Sequence, residues 1–175
     1  MSEFDFGLRF TFPDSDIPPE QYVNRLGEEG CDDAIIGVGQ KGRIAFQFTR
    51  TGDSALTAVM SAIKDVKRVI PEAMLIEATP DLVGLSDIAN VIGSSRQNIH
   101  KLMLSHNNTF PAPVHAGKYS IWHLSNILEW FEKEQNKTID PITKEIAEIN
   151  KQVNIAKEKA QSNAYQQSEL LAVGF

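Results

Sequence analysis

Several features are scarce or missing in this 175-residue chain. Its single cysteine, Cys31, has no partner for an internal disulfide, and no Cys/His spacing typical of a metal site is present. No run approaches the roughly 18–20 apolar residues that a membrane span needs. The first residues, MSEFDFGLRF, carry acids where a secretory signal carries Lys or Arg. The sequence therefore predicts a cytoplasmic protein with no membrane contact, no metal and no cofactor.

Acidic residues are unevenly distributed, and they are missing from one long window. The formal net charge is −6, which argues against a general nucleic-acid coat protein. Residues 1–80 hold thirteen acids against eight Lys or Arg, whereas residues 94–123 contain no Asp or Glu. The same window contains Arg96, Lys101, Lys118 and four histidines. This pattern predicts one locally basic face that binds nucleic acid by site rather than by bulk charge.

The first 80 residues show a succession of short elements. Apolar residues alternate with polar ones at the start, which is typical of a strand with one buried face; they are Phe4, Phe6, Leu8, Phe10 and Phe12. A helix over 19–29, strands over 34–38 and 43–50, a helix over 55–70 and a strand over 73–78 follow. The order β-α-β-β-α-β predicts an α+β domain of the ferredoxin-like type over residues 1–80.

Residues 81–133 contain a second pattern, in which two short helices are separated by a tight turn. Helical periodicity over 85–92 stops at Gly93, and Ser94 and Ser95 offer a new N-cap for a helix over 95–105. An extended segment over 110–114, a turn over 115–118, a return strand over 119–122 and a helix over 124–133 follow. This order predicts a winged helix-turn-helix.

The second helix carries the side chains that would contact DNA. Arg96 suits guanine and Gln97 suits adenine, and both lie in the first turn, where recognition helices meet base edges. The hydroxyls of Ser94 and Ser95 at a helix N-terminus suit a phosphate. The remaining predicted contacts to bases, backbone or minor groove are Asn98, His100, Lys101, His115, Lys118 and Tyr119.

A heptad pattern follows Pro141. Its apolar positions are spaced by four and three residues in turn, and they are Ile142, Ile146, Ile149, Val153, Ala156 and Ala160. The spacing predicts a coiled-coil helix over 139–162 that pairs two copies, with packing of this helix on its own domain as the alternative. The tail over 163–175 loses the heptad and ends in an apolar segment that is suited to docking on a partner.

Residues 81–133 resemble the excisionase/AlpA-like, MerR-related winged-helix family. The similarity lies in Ser95, Ile99 and Leu102 of the second helix, in FPAPV at 110–114, in GKYSIW at 117–122 and in EWF at 129–131. The resemblance implies that the second helix reads the major groove and that the wing contacts the backbone. MerR-like regulators also dimerise through a C-terminal coiled coil, which the heptad resembles.

The function predicted from these patterns is a homodimeric, site-specific regulator of transcription that binds double-stranded DNA. The alternative is an adaptor or an antitoxin-like inhibitor whose tail, 170–175, docks on another protein. A protein or small ligand is a further expected partner, at the N-terminal domain or the tail. An enzyme is not favoured, because no nucleophile–base pair, metal cluster or cofactor motif is present.

Overall fold

The structure is a computed structural model and describes residues 1–12, 18, 20–162 and 167–174. The first part of the chain contains the elements β1 (Ser2–Thr11), α1 (Glu20–Leu26), a π-helical turn (Gly27–Cys31), β2 (Ala34–Gln40), β3 (Arg43–Gly52), α2 (Ala55–Val69) and β4 (Met74–Thr79). The second part contains β5 (Leu82–Val83), α3 (Leu85–Ile92), α4 (Arg96–Ser105), β6 (Trp122–His123), α5 (Leu124–Gln135), α6 (Pro141–Gln161) and α7 (Gln167–Ala172). The chain is therefore a mixed α+β protein.

The sheet segment, residues 1–79, contains a four-stranded antiparallel sheet. The strand order is β2-β3-β1-β4, and every neighbouring pair is antiparallel. Alternation buries one face of β1 and β3, where phenylalanines stack: the rings of Phe6 and Phe48 lie 5.3 Å apart. The helix predicted over 19–29 is shorter, because α1 ends at Leu26 and the chain continues in a π turn. Residue 19 lies outside the described residues.

A buried charge cluster lies at the end of β3. Arg50 continues the inward-facing positions of this strand and donates two hydrogen bonds to Asp33, at 2.7 and 2.9 Å. It also donates to Asp65 at 2.8 Å and to the carbonyl oxygen of Gly30. Cys31 lies buried nearby, and this burial raises the pKa of its thiol from 9.0 to about 11. A protonated, inaccessible thiol fits a packing role rather than a redox role.

The helix-pair segment, residues 81–135, has its own apolar core. Its buried side chains come from β5, α3, α4, β6, α5 and the connection between α4 and β6, and they are Val83, Ile88, Ala89, Ile92, Ile99, Phe110, Trp122, Leu124, Ile127, Leu128, Trp130 and Phe131. The strand predicted over 119–122 is reduced to an isolated bridge between His115 and Ile121 and the two residues of β6. β6 pairs with β5 rather than with residues 110–114, because Leu82 and Val83 lie opposite His123 and Trp122.

Helix α6 packs between the two segments of its own chain. Ile146, Ile149 and Val153 join the core of the sheet segment, and Ala147 joins the core of the helix-pair segment. Three central positions of the predicted coiled-coil seam are therefore covered within the chain, as the alternative reading expects. Only Ile142, Ala156 and Ala160 of that seam are exposed. A 4-3 apolar spacing suits packing against a sheet as well as against a second helix. The spacing alone therefore does not distinguish a coiled coil from packing within the chain.

Candidate nucleic-acid interface

The chain reverses direction sharply between α3 and α4. Gly93 has a φ of 71°, a left-handed conformation that favours glycine, and it ends α3. The Ser94 N–H donates to the carbonyl oxygen of Ala89 at 2.8 Å. Ser95 then begins α4, because its Oγ accepts a hydrogen bond from the Asn98 N–H at 3.1 Å. These hydrogen bonds fix the position of α4 relative to α3.

The inner side of α4 is anchored and its outer side is exposed. Ile99 is buried in the core, and Leu102 and Met103 pack against it. The side chains of the opposite face are open to solvent, and they are Arg96, Gln97, His100, Lys101 and Leu104. The helix therefore presents two permanent cations, a histidine and an amide on one surface, as the sequence predicts.

A short loop projects beside α4. The Ile121 N–H donates to the His115 carbonyl oxygen at 3.0 Å, and the Val114 N–H donates to the Ile121 carbonyl oxygen at 2.7 Å. Residues 116–120 between these bonds form the loop. Its exposed tip carries Lys118 and Tyr119, with the Lys118 Nζ 5.5 Å from the centre of the Tyr119 ring.

Buried aromatic residues pack against one another at the base of this loop. Trp122 donates from Nε1 to the carbonyl oxygen of Pro111 at 2.9 Å, and its ring meets Phe110 edge to face at 6.0 Å. Trp130 packs on Phe110 at 4.9 Å and donates to Thr109 Oγ1. Both tryptophans are buried, so their rings hold the loop in place and are unavailable for stacking on bases.

The start of α3, the outer face of α4 and the loop enclose a cleft of about 440 Å³. Arg96, His100, Lys118 and Tyr119 line it. Asp87 is the acid among the lining residues, and its carboxylate accepts a hydrogen bond from the Gly84 N–H at 2.9 Å. The cleft is thus positively charged on the two sides formed by α4 and the loop.

Other predicted contact residues lie outside this cleft. Asn98 donates from its side-chain Nδ2 to Ser94 Oγ at 2.9 Å and from its backbone N–H to Ser95 Oγ at 3.1 Å, so both serine hydroxyls bond to Asn98. Gln97 and Lys101 are exposed on α4 but do not line the cleft. His115 lies over the loop, because a Cβ added at Gly117 would meet its Nε2 at 2.5 Å.

A polar junction that the sequence analysis missed joins the helix-pair segment to α6. The Asp81 side chain is fully buried, and its Oδ1 lies 2.7 Å from His123 Nδ1. Asn154 of α6 donates to Asp81 Oδ2 at 2.8 Å. The Leu124 N–H donates to the Asp81 carbonyl oxygen at 2.7 Å. These bonds hold Asp81, the first residue of the helix-pair segment, in place. In the sequence, Asp81 is recognisable only as the residue that follows Pro80.

Two properties of the described residues bear on other kinds of site. Within residues 1–12, 18, 20–162 and 167–174, no group of three or more His, Cys, Asp or Glu residues has a geometry that could hold a metal ion. Over the same described part of the chain, no helix combines the length and the apolarity needed to cross a membrane.

Comparison with known proteins gives one family. Residues 81–135 match the family model described as the prophage CP4-57 regulatory protein (AlpA). The match spans the two helices, the loop and α5, and it confirms for this segment the predicted resemblance to the AlpA-like family. The matched residues make up less than half of the chain and include neither the sheet segment nor α6. No curated protein and no solved structure matches the chain significantly.

Proposed function

Because residues 81–135 resemble a prophage regulatory protein, we propose that this chain is a regulator that binds double-stranded DNA at specific sites. The observation that carries the proposal is the cleft in which Arg96 and His100 of α4 face Lys118 and Tyr119 of the loop. In this proposal the segment is a winged helix-turn-helix, α4 enters the major groove and loop 116–120 lies on the adjacent backbone.

Each side chain of this surface has a distinct proposed role. Arg96 projects from the first turn of α4 and binds guanine O6 and N7 through its planar guanidinium. Gln97 pairs with adenine, and Lys101 and His100 bind phosphates. Lys118 and Tyr119 contact the backbone beside the groove. The hydrogen bonds that Asn98 donates to Ser94 and Ser95 stiffen the N-terminus of α4. Both hydroxyls accept in these bonds, so their O–H groups and the helix backbone N–H groups are the proposed phosphate donors there.

Few cations are available to this interface. The acid-free window contains Arg96, Lys101 and Lys118, and Arg96 is assigned to a base, so roughly two phosphate contacts from permanent cations are expected. Such a surface binds weakly alone, and pairing of two copies would raise the affinity. The homodimer stays a prediction, and its α6 seam is largely covered within the chain. We also assign the sheet segment to the ferredoxin-like type, on its element and strand order.

The proposal is tested by selection of binding sites from random duplex DNA with the full chain, followed by titration of the selected duplex. We expect Arg96→Ala to weaken binding to that duplex about tenfold to a hundredfold, because a bidentate contact to guanine is lost. We also expect the guanine preference at one position to relax.

Arg25→Ala is the matched control, because Arg25 is an exposed arginine on α1, in the sheet segment. It should leave the dissociation constant within about twofold. Equal affinities of Arg96→Ala and the wild type for the selected site would show that the residue assignment is wrong. Failure of the selection to enrich any sequence would count against the function itself.

A second candidate function, that of an adaptor that binds a partner protein, is favoured by a separate feature. A groove of about 1080 Å³ lies between β4, the helix-pair segment, α6 and α7. Exposed apolar side chains line it, and they are Leu82, Val114, Ile155, Leu170 and Leu171. Removal of residues 163–175 distinguishes the two functions: DNA binding through α4 survives the truncation, whereas capture of a partner through the tail does not.

A further inference from the structure

The two edges of the sheet differ in how their backbone groups are satisfied. At the β4 edge, the Asn154 side chain donates to the Ala78 carbonyl oxygen and accepts from its N–H, both at 2.8 Å. Lys157 donates to the Ile76 carbonyl oxygen at 2.6 Å, so α6 covers this edge. The opposite edge is β2, which pairs only with β3 among the described strands. An uncovered edge strand is a template for pairing with another chain.

The outward-facing backbone groups of β2 follow from its register. The Thr49 N–H of β3 donates to the Asp33 carbonyl oxygen, so residue 33 bonds towards β3. Alternation then turns residues 35 and 37 towards β3, and it turns the N–H and C=O of Ala34 and Ile36 to the open side. Within the described part of the chain, no hydrogen bond reaches these outward groups.

The β2 edge lacks most of the features that usually prevent pairing, and its one register shift against β3, between Gly37 and Gln40, follows the Ile35–Gly37 stretch. Residues 34–40 (AIIGVGQ) contain no charged residue and no proline. Ile35 is 78% exposed, whereas its strand neighbours Ala34 and Ile36 pack against the core. A large apolar side chain in the middle of an uncharged edge strand indicates a surface that is covered by a partner.

Gly37 adds a complementary feature on the same face. A Cβ at this position would meet only Ala45, at 3.8 and 3.9 Å, which are ordinary contact distances. Gly37 is also absent from the residues with positive φ. The chain's own packing therefore does not require glycine here, and the position leaves an open space two residues from Ile35.

We propose that β2 pairs antiparallel with β2 of a second copy of this chain, with the two-fold axis at Ile36. The outward groups of Ile36 then bond to those of its copy. Ile35 of each copy lies opposite Gly37 of the other, in a non-hydrogen-bonded pair, where opposed side chains approach most closely. Gly37 leaves room for the opposed Ile35, and the two-fold symmetry produces this contact twice.

This dimer does not depend on DNA binding, and its test contains no DNA. It differs from the coiled-coil dimer in leaving α6 on its own sheet. A strand edge buries less than the roughly 1,200 Å² of a standard interface, so we expect dissociation in the micromolar range. The mass of the full chain is measured by light scattering from micromolar to submillimolar concentration.

The wild type is expected to change from monomer to dimer over this range. Ile35→Lys should remain a monomer throughout, because the two-fold register brings a lysine into the apolar contact twice. Leu56→Lys on α2 is the matched control, because Leu56 is also an exposed large apolar residue, and it should dimerise like the wild type. A monomeric wild type, or an Ile35→Lys variant that still dimerises, would overturn the proposal.

A cross-link tests the register without relying on loss of association. In the double variant Ile35→Cys/Gly37→Cys, the opposed Cα atoms lie about 4.5 Å apart, within disulfide range. Mild oxidation should yield a covalent dimer, whereas Leu56→Cys should yield none. The native Cys31 is buried and should not interfere. Absence of the covalent dimer in the double variant would show that this register is wrong.

Discussion

Replacement of Arg50 by Met is expected to lower the free energy of unfolding by about 3 kcal/mol, because it leaves the Asp33 and Asp65 carboxylates without their shared cation. Arg50 is buried and donates to both carboxylates, to Ser61 and to the Gly30 carbonyl oxygen. The carboxylates keep 29% and 16% exposure, so water partly compensates and the loss falls at the low end for a broken buried pair. Urea unfolding followed by circular dichroism measures the effect.

Arg43→Met is the control for this change, because Arg43 lies on the same strand with its side chain exposed. It should cost less than about 0.5 kcal/mol. Addition of Asp33→Asn to Arg50→Met should recover part of the loss, because it removes the carboxylate that has lost its cation, whereas Asp65 keeps Arg68 at 3.2 Å. A loss for Arg50→Met no larger than that for Arg43→Met would contradict a structural role for the cluster.

Replacement of Asn154 by Ala is the second change with a large expected effect. One side chain satisfies the N–H and C=O of Ala78 and one oxygen of Asp81, and all three groups are buried. Each buried group left without a partner costs about 1–3 kcal/mol. Asn154 also borders the open groove, from which water can reach these atoms, so we expect a total loss of about 3 kcal/mol.

Gln152→Ala is the control on the same helix, because Gln152 is an exposed amide that donates to Glu148 of the same helix. It should change the free energy of unfolding by less than about 0.5 kcal/mol. Thermal unfolding of both variants, followed at several wavelengths, measures the difference. Equal stability of Asn154→Ala and Gln152→Ala would mean that α6 does not hold the β4 edge and Asp81 in the way described.

The helix pair could be predicted from sequence because its signals are local. Gly93 must adopt a positive φ, Ser95 caps the next helix, and the apolar spacing shows that Ile99 faces inward. These signals place α3 at Leu85–Ile92 and α4 at Arg96–Ser105, within a residue or so of the expected bounds. The exposed face of α4 is then the opposite one, so the exposure of Arg96 and His100 could be predicted before the fold was known.

The packing of α6 could not be predicted in the same way, because it depends on what lies opposite. Apolar spacing states that one stripe is buried but not whether a helix or a sheet covers it. A second stripe carried the missing information: Asn150, Asn154 and Lys157 follow one another along a neighbouring face. Polar side chains at that spacing suit a row of backbone carbonyl groups, which here belong to Ile76 and Ala78 of β4 and to Pro80 just after it.

The burial of Arg50 could also have been predicted from the alternation of residues in β3. The inward positions of β3 run Ile44, Phe46, Phe48 and then Arg50, so period-two alternation places the arginine inside. A buried arginine requires carboxylate partners, but its partners Asp33 and Asp65 lie on other elements. Their identity depends on the sheet order, which no local pattern contains.

The central claim, that α4 and loop 116–120 form the DNA-binding surface, is tested most directly by nuclear magnetic resonance of the full ¹⁵N-labelled chain. The selected duplex is added and the movement of each backbone amide signal is followed. The largest movements are expected in residues 94–101 and 116–120, where Arg96 and Lys118 lie. Movements confined to the sheet segment, with the signals of α4 unchanged, would contradict the claim.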